Sequence, residues 1–394
     1  MMLKRWLSVG LVVSSLLVGC NSLGTPDGVK IAVALPLRSE GGQDLLNAAQ
    51  LALDEAGSQA GGRAVTLVSF DTSDPEGNPS ADLELQAAEQ VSVDLSVVAY
   101  LGSMTNEQAK VALPVLNRAS VVHLSPSATW PGLTKPGFWP GEPGIYYPTG
   151  YRSFFRLALS DEVQGAAAAR WAKMLGVKSV YVVDDGTAYG KGIAGIFEVT
   201  FRDMEGGVLA HDTFEAVPAT EGQLTAIATR IVEQQPDLVF LGSSLDGGGE
   251  EFLRVFRGVD QKTLLMVPNA MAQDELFADV GVGLTEGTYA TNVFLPVEQR
   301  QSARAFLQAY QTAYGREPSA AALNIYEAMK VLLTVIGQAE QPTREGVLAA
   351  MRNLGEFSGA LGTWSFTSEG DISLTGIGGL VAHEGVWEFV QVLK

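Results

Sequence analysis

The feature that most limits what this chain can fold into is a regular alternation of short apolar strands with amphipathic helices. In the first stretch, strands are predicted at 30–35, 65–70, 97–101 and 120–124, and helices at 44–56, 81–91 and 106–118. Alternation at this rhythm favours a parallel sheet with helices on both faces. The sequence therefore predicts an α/β fold.

A second stretch, beginning at Ser153, repeats the pattern without repeating the sequence. Its predicted strands are 154–157, 179–183, 208–214, 237–241 and 263–267, and its predicted helices are 161–175, 193–204, 223–234 and 250–256. Longer helices follow at 299–314 and 319–337, then a shorter one at 343–354, with strand-like segments at 363–366 and 379–392. A chain of 394 residues is long enough for two domains. We expect two doubly wound α/β lobes.

Small hydroxyl residues follow two neighbouring strands of the first stretch, at the edge where open α/β sheets bind ligands. Ser103 comes after the strand at 97–101, and Ser127 and Thr129 come after the next one. Their hydroxyls, together with free backbone N–H groups, can bind an anion or a carboxylate. Ser and Thr also favour the caps of turns and helices, so a purely structural role stays open.

The first twenty residues have the pattern of an export signal. A basic start is followed by an apolar stretch at 7–18, which is too short to span a bilayer comfortably. It ends in Leu17-Val18-Gly19-Cys20, which resembles a bacterial lipoprotein box. That resemblance implies a signal peptide at 1–19, acylation of Cys20 and a lipidated tether at 20–28. An ordinary signal peptide with a chance cysteine is the alternative.

Composition argues against several classes of function. The formal net charge is −18 and no basic run is present, so nucleic-acid binding is not expected. Cys20 is the only cysteine, which excludes an intrachain disulfide. His123, His211 and His383 lack the spacing of a metal site and are expected to be structural. No G-x-S-x-G motif is present, and the glycines at 186–192 are too close together for a phosphate loop, so we expect neither an enzyme nor a cofactor.

One segment, 135–151, interrupts the alternation. It is rich in proline, glycine and aromatic residues, including Phe138, Trp139 and Tyr146. Long ordered loops are often functional, so the segment is interpreted in two ways. It forms either a lid over Thr129 or a surface loop that its aromatic side chains anchor.

Five short segments, taken in order, carry a resemblance to a known family. They are Ile31-Ala32-Val33-Ala34-Leu35-Pro36-Leu37; Ser125-Pro126-Ser127-Ala128-Thr129 with Leu133-Thr134; Asp184 with Tyr189-Gly190-Lys191-Gly192; Asp237-Leu238-Val239-Phe240; and Ile325-Tyr326-Glu327-Ala328. With them, the mature chain resembles the solute-binding proteins of branched-chain amino-acid ABC transporters, the leucine/isoleucine/valine-binding type.

This resemblance implies a type I periplasmic-binding-protein fold, the venus-flytrap arrangement. In it, two α/β lobes are joined by three crossing strands, and the ligand lies in the cleft between the lobes. We place lobe 1 at 29–155 plus 290–358 and lobe 2 at 156–289 plus 359–394. The crossings are expected near 155–160, 290–295 and 359–362.

The resemblance also implies which residues bind the ligand. In the first lobe, Ser103, Ser127, Ala128 and Thr129 match positions that hold the α-carboxylate and α-amino group. Tyr189 matches an aromatic residue that closes over the ligand from the second lobe, and Tyr326 is expected to flank the cleft near the hinge.

One matching position departs from the family. Where the family commonly has an acid for the ligand ammonium, this chain has Asn269, which offers no charge. Asp246, in the neighbouring loop, can substitute for that acid. Otherwise the ligand is not an α-amino acid, and a small solute bearing a carboxylate or an amide is expected.

The function that the resemblance implies is binding without catalysis. The protein is expected to be an exported monomer, lipid-anchored to the cell envelope through Cys20, that delivers its small-molecule ligand to an ABC transporter permease. A ligand-sensing receptor domain of the same fold, not coupled to transport, is the alternative.

Overall fold

A computed structural model describes residues 28–39, 41–215, 220–245, 247–296 and 299–394. The predicted signal peptide, nearly all of the tether with Cys20, and Asp246 lie outside the described residues. Within that part of the chain, no helix is long and apolar enough to cross a membrane.

The first lobe contains a six-stranded sheet with the order β2-β3-β1-β4-β5-β6. Its strands are β1 (Gly28–Leu35), β2 (Gln59–Ala60), β3 (Arg63–Asp71), β4 (Val97–Leu101), β5 (Val122–Ser125) and β6 (Phe154–Arg156). All neighbouring strands are parallel except β2 and β3. Helices α1 (Gly42–Glu55), α2 (Ala81–Val93) and α3 (Asn106–Arg118) connect these strands. Every residue of β4 is buried, as expected of a central strand covered on both faces.

The second lobe contains a seven-stranded sheet with the order β15-β14-β11-β10-β9-β7-β8. The parallel strands are β7 (Ser179–Asp184), β8 (Gly207–Thr213), β9 (Leu238–Gly242), β10 (Leu264–Val267) and β11 (Tyr289–Asn292); β14 (Ile377–His383) and β15 (Val386–Leu393) are antiparallel. Its helices are α4 (Asp161–Met174), α5 (Ala188–Asp203), α6 (Glu221–Gln234), α7 (Gly249–Val259), α8 (Glu275–Val280) and α9 (Val282–Thr285). The predicted α/β fold with two parallel-dominated sheets is thereby confirmed.

Three further helices return to the first lobe: α10 (Arg304–Tyr314), α11 (Ala320–Gln338) and α12 (Arg344–Arg352). A hairpin of β12 (Phe357–Gly359) and β13 (Gly362–Trp364) follows them. The chain therefore passes between the lobes after β6, after β11 and after this hairpin.

The passage after β11 begins after Asn292 and so lies within the predicted crossing at 290–295. The third passage lies a few residues after its predicted position. The segment 359–362 is the turn of the hairpin, and the chain changes lobes only after Trp364. The reason is that buried Glu327 on α11 accepts hydrogen bonds from the Ala360 N–H (2.7 Å) and from Trp364 Nε1 (2.8 Å), which tie the hairpin to the first lobe.

Helix α5 begins five residues before its predicted start. Thr187 caps it, because the Thr187 hydroxyl accepts a hydrogen bond from the Gly190 N–H at 2.9 Å. The glycines in its first turns have low helix propensity, so the sequence there resembles a loop. As a result, Tyr189 lies on a helix and not on a strand-end loop.

Candidate functional site

The strand-end loops of the first lobe meet in one hydrogen-bond network. The Ser125 hydroxyl, at the end of β5, donates to the Ser103 carbonyl at 2.7 Å and accepts from the Ala128 N–H at 2.9 Å. Asn106 Oδ1, in the first turn of α3, accepts from the Thr129 N–H at 2.8 Å. The structure therefore brings Ser103, Ala128 and Thr129 together, as the sequence predicted.

The expectation of free backbone N–H groups at this site is wrong. The Ser103 N–H donates to His123 Nε2 at 3.2 Å, and those of Ala128 and Thr129 are paired within the network. The Ser127 hydroxyl is also used, since it donates to the Met104 carbonyl at 2.6 Å. Buried backbone donors are nearly always paired, and here the loops pair their own. Of the predicted set, the Ser103 and Thr129 hydroxyls remain, and their nearest polar neighbours are His123 Nε2 at 3.3 Å and Asn106 Nδ2 at 3.4 Å.

A fully buried arginine connects this network to the crossing segments. Arg156, at the end of β6, donates to the Trp130 carbonyl at 2.8 Å, to the Thr134 hydroxyl at 3.0 Å and to Asp371 at 2.7 Å. Asp371 lies in the third passage between the lobes. The guanidinium therefore fixes the loop that carries Thr129 against the hinge.

In the second lobe, the side chains of Tyr189 and Asn269 are in contact. The Tyr189 hydroxyl, on α5, donates to Asn269 Oδ1 at 3.2 Å, after the end of β10. Asp185 holds the two adjacent strand-end loops together, because it accepts from the Thr187 N–H and from the Ser243 hydroxyl, each at 2.9 Å. Burial, and then the charge of Asp161, raises the pKa of Tyr189, which stays protonated as a donor.

Asp161 is the site residue that the sequence analysis missed. It opens α4, and its N–H donates to the Thr129 carbonyl across the lobe boundary at 3.0 Å. Its side chain is buried, and neither carboxylate oxygen has a hydrogen-bond partner among the described residues. Burial raises its pKa to about 7, although the Thr129 hydroxyl and the Arg156 charge act in the opposite direction. An acid in the first turn of a helix is common, so nothing in the sequence marked it.

The two lobes touch beside this site. Trp130 packs against α5 so closely that a Cβ atom at Gly192 would lie 2.5 Å from Trp130 Cζ3. The indole is held from behind, since its Nε1 donates to both carboxylate oxygens of Glu142 at 3.0 Å. Only glycine permits this approach, which gives Gly192 a structural role.

The segment 135–151 fits the interpretation of an anchored surface loop. The Tyr146 hydroxyl donates to Glu142 at 2.6 Å, and the Tyr147 hydroxyl donates to the Leu133 carbonyl at 2.8 Å. Phe138 packs edge-on against Trp130, with ring centroids 5.9 Å apart. The loop thus supports Trp130, and through it the contact with the second lobe.

The expectation that Tyr326 flanks the cleft is wrong. Its hydroxyl donates to Glu55 on α1 at 2.6 Å, and its ring packs 4.7 Å from that of Phe306 on α10. It therefore belongs to the packing between helices of the first lobe. Asn324, on the same helix, is the residue that reaches the site loop, where it donates to the Pro126 carbonyl at 3.0 Å.

Two recesses lie elsewhere on the described surface. One, of about 490 Å³, is at the carboxyl ends of β7 and β8 and is lined by Gly186, Thr187, Lys191, Thr213, Glu215 and Gln223. The other, of about 470 Å³, lies between α1 and α10. Neither is lined by the residues of the candidate site. Within the described ranges, no group of three or more His, Cys, Asp and Glu side chains is arranged to hold a metal ion.

Comparison with known proteins gives consistent results. Residues 28–374 match the profile of the family described as periplasmic binding protein. The chain is 27% identical, over 84% of both sequences, to the Leu/Ile/Val-binding protein BraC3 of Rhizobium johnstonii. It is 26% identical to the leucine-, isoleucine-, valine-, threonine- and alanine-binding protein of Pseudomonas aeruginosa, over 88% of this chain and 87% of that one.

Solved structures show the same fold. A leucine-binding protein from Thermotoga maritima superposes with a TM-score of 0.75 at 23% identity, over 93% of this chain and 99% of that one. A solute-binding protein from R. palustris, in complex with benzoate, superposes with a TM-score of 0.71 at 17% identity, over 93% and 96%. Proteins with this fold thus bind ligands with and without an ammonium group.

Proposed function

This chain belongs to the periplasmic binding protein family, and on that premise we propose that it binds a free amino acid between its lobes. The observation that carries the proposal is the buried carboxyl group of Asp161, which has no hydrogen-bond partner among the described residues. The Asp161 N–H donates to the Thr129 carbonyl of the first lobe at 3.0 Å, and the Asp161 charge helps to raise the pKa of Tyr189 in the second lobe. A buried charge is unfavourable unless it is paired, so this position favours a cationic group on the ligand.

An α-amino acid supplies that group together with a carboxylate. The ammonium would pair with Asp161 and would also reach the Thr129 hydroxyl beside it. The carboxylate would bind at the Ser103 hydroxyl, in the same first-lobe network. Asp161 thereby supplies the negative charge for the ammonium, which Asn269 cannot supply. Asn269 remains a hydrogen-bonding neighbour of Tyr189.

The same residue disfavours a ligand that is only an anion. Benzoate would bring a negative charge close to the Asp161 carboxylate, and two carboxylates in one buried site oppose each other's ionisation. Arg156 and Lys110 moderate that repulsion, since both lower the pKa of Asp161. Arg156, however, is already committed to Asp371 at 2.7 Å.

Binding would favour the closed arrangement of the lobes. A ligand held by Ser103 and Thr129 in one lobe and by Asp161 and Tyr189 in the other makes more contacts when the lobes meet. We further propose that the chain is a monomeric lipoprotein, anchored through Cys20 on the outer side of the cell membrane, and that it delivers its ligand to an ABC permease.

A panel of matched ligands tests the ligand class. Calorimetric titration would compare L-leucine with 4-methylpentanoate, which lacks the ammonium, and with 3-methylbutylamine, which lacks the carboxylate; the other amino acids and benzoate complete the panel. We expect an amino acid to bind at least about a hundredfold more tightly than either truncated form, because each form leaves buried polar groups unpaired. A protein that binds benzoate or 4-methylpentanoate as tightly as any amino acid would contradict the proposal.

Cellular uptake tests delivery. Cells that lack the protein should lose high-affinity uptake of the amino acid that binds in vitro, and the wild-type chain should restore it. The Cys20→Ala variant should restore less, because its export would leave it without an anchor. Unchanged uptake in the deletion strain would contradict delivery and favour a sensing role.

A further inference from the structure

Two strongly exposed apolar side chains lie close together where α2 ends and the chain leads into β4. Val93 and Leu95 are each 79% exposed, and no other large hydrophobic side chain among the described residues is as exposed. The polar residues that alternate with them, Asp94 and Ser96, are only partly exposed. This short segment thus reverses the usual arrangement, in which apolar side chains are buried and polar ones face the solvent.

Polar contacts hold the segment in this position. Asp94 accepts hydrogen bonds from the Ser96 N–H and from Lys30 Nζ, each at 3.0 Å. From behind, the buried Arg344 side chain on α12 donates to four backbone carbonyls of the segment 91–97 at 2.6–2.9 Å. Because these bonds fix the backbone, the exposure of the two apolar side chains is a property of the fold itself.

The segment lies at the edge of the first sheet where the described chain begins. β1 starts at Gly28, and the Lys30 N–H donates to the Ser96 carbonyl at 2.8 Å. Strands β1, β4, β5 and β6 are parallel neighbours, so their first residues lie along this one edge, the amino-terminal edge. Tyr151, which precedes β6 and is 67% exposed, lies there too. The candidate site is at the opposite edge, after the carboxyl ends of the strands.

The position of Cys20 limits how far the amino-terminal edge can lie from a membrane. If Cys20 carries the lipid, eight residue steps separate Gly28 from the bilayer. One step spans at most about 3.6 Å, so Gly28 stays within about 29 Å of the bilayer surface. The strand that Val93 and Leu95 precede is the neighbour of β1, about 4.8 Å away. The bilayer is therefore an apolar phase that stays within reach of both side chains.

The residues around the segment suit a phospholipid surface. Tyrosine is enriched at the bilayer–water interface, and arginine extends its charge toward the headgroups. The Arg352 guanidinium lies 5.5 Å from the centre of the Tyr151 ring, and Arg118, the last residue of α3, is exposed. Exposed Glu345, beside Arg344, offsets part of this positive charge. We therefore expect apolar contact, and not net charge, to dominate.

We propose that the amino-terminal edge lies on the phospholipid bilayer, with Val93 and Leu95 inserted at the level of the headgroups. This inference rests on the proposed anchor at Cys20, which keeps the edge close to the bilayer. Burial of one such side chain favours the bound state about tenfold, so the two together favour this docked orientation about a hundredfold. A contact of that strength orients the protein and still releases it. Release is required for delivery, because the candidate site faces away from the bilayer in the docked state.

Energy transfer to the bilayer tests the proposal on the acylated protein in phosphatidylcholine vesicles that contain an acceptor-labelled lipid. The chain has no cysteine other than Cys20, so a donor dye can be placed at Glu89→Cys, an exposed position one turn before Val93. Asp203→Cys, at the exposed end of α5 in the second lobe, provides a distant donor. Donor lifetimes at position 89 should be mostly short, as expected of docked molecules, and those at position 203 should be long.

Matched substitutions separate docking from tethering. The Val93→Asn/Leu95→Asn variant should lower the ratio of docked to released molecules about a hundredfold. Val259→Asn/Val282→Asn, which changes exposed apolar residues of the second lobe, should match the wild-type chain. Both variants should keep the wild-type affinity for L-leucine, since neither change touches the candidate site. Lifetimes at position 89 that are the same with and without Val93 and Leu95 would overturn the proposal.

Two further measurements distinguish this inference from the proposed function. Mass spectrometry of the mature protein should find Cys20 acylated; a free thiol would contradict the anchor, and the inference would fail with it. If Cys20 is acylated but the Val93→Asn/Leu95→Asn variant docks like the wild-type chain, only the inference fails. Vesicles with added phosphatidylglycerol should give a similar docked fraction, and docking that occurs only on those anionic vesicles would overturn the apolar contact.

Discussion

Replacing Asp161 by asparagine should stabilise the ligand-free protein. Burial raises the pKa of this carboxyl group from 3.8 to about 7, so the folded state holds its proton more tightly than the unfolded state. Stability is therefore lost as the pH rises from about 4 to about 7, and the loss is complete above that range. A pKa difference of about three between the folded and unfolded states, at 1.36 kcal/mol per pKa unit, sets an upper limit of about 4 kcal/mol on the stability that the variant gains.

The same change should weaken ligand binding. If the ligand ammonium pairs with Asp161 in a buried site, removal of one partner costs about 3 kcal/mol or more, which is at least about a hundredfold in Kd. The Asp161→Asn variant should thus gain stability while it loses affinity. Replacing a residue with a purely structural role would not raise the stability of the protein and lower its ligand affinity at the same time.

Urea unfolding at pH 4, 6 and 8, with calorimetric titration of L-leucine at pH 8, measures the two effects. The gain in the free energy of unfolding should be near zero at pH 4 and largest at pH 8. Asp203→Asn, an equal change of charge at an exposed position at the end of α5, serves as the control. An Asp161→Asn variant that is less stable at pH 8, or that keeps its affinity, would refute the reasoning.

Three further predictions concern the lobe contact, the hinge and a histidine. Gly192→Ala should weaken L-leucine binding at least about tenfold in calorimetric titration, because the new Cβ would lie 2.5 Å from Trp130. Gly195→Ala, on the same helix, places its Cβ in open space and should leave binding unchanged. Arg156→Met should lower the free energy of unfolding in urea by about 3 kcal/mol, since it removes the hydrogen-bonded partner of buried Asp371 and leaves only Lys135, at 3.7 Å. A loss below about 1 kcal/mol would count against this. Asp184 and then Glu198 raise the pKa of His211 above 6.5, so its stabilising effect is present below pH 6.5 and is lost as the pH rises through the raised pKa. The His211→Gln variant should accordingly be less stable than the wild-type chain at pH 6 and similar to it at pH 9 in urea unfolding, and a deficit that is equal at both values would exclude the effect.

The fold could be predicted because it depends on local apolar periodicity. The bounds predicted for β4 and α3, 97–101 and 106–118, are those of the structure. The start of α5 could not be predicted, because its glycines serve a contact with Trp130 that is distant in sequence. Local propensity describes such a segment as a loop, and tertiary packing makes it helical.

The site was predicted only in part, for a related reason. Ser103, Ala128 and Thr129 follow strands, so their convergence follows from parallel topology. Asp161 could not be predicted as a site residue, because its burial depends on the packing of the two lobes and not on any local sequence pattern. Tyr326 was misplaced because a match to a motif does not specify which face of α11 carries it.

The position of Arg156 has a mechanical consequence for lobe movement. One guanidinium joins the loop bearing Thr129 to Asp371 in a crossing segment, so the pivot of a lobe rotation would lie within a side chain's length of the candidate site. Points near a pivot travel little, while the far rim of the second lobe sweeps a long arc. A small torque from a bound molecule would then produce a large displacement at the outer surface, where a partner protein could sense it.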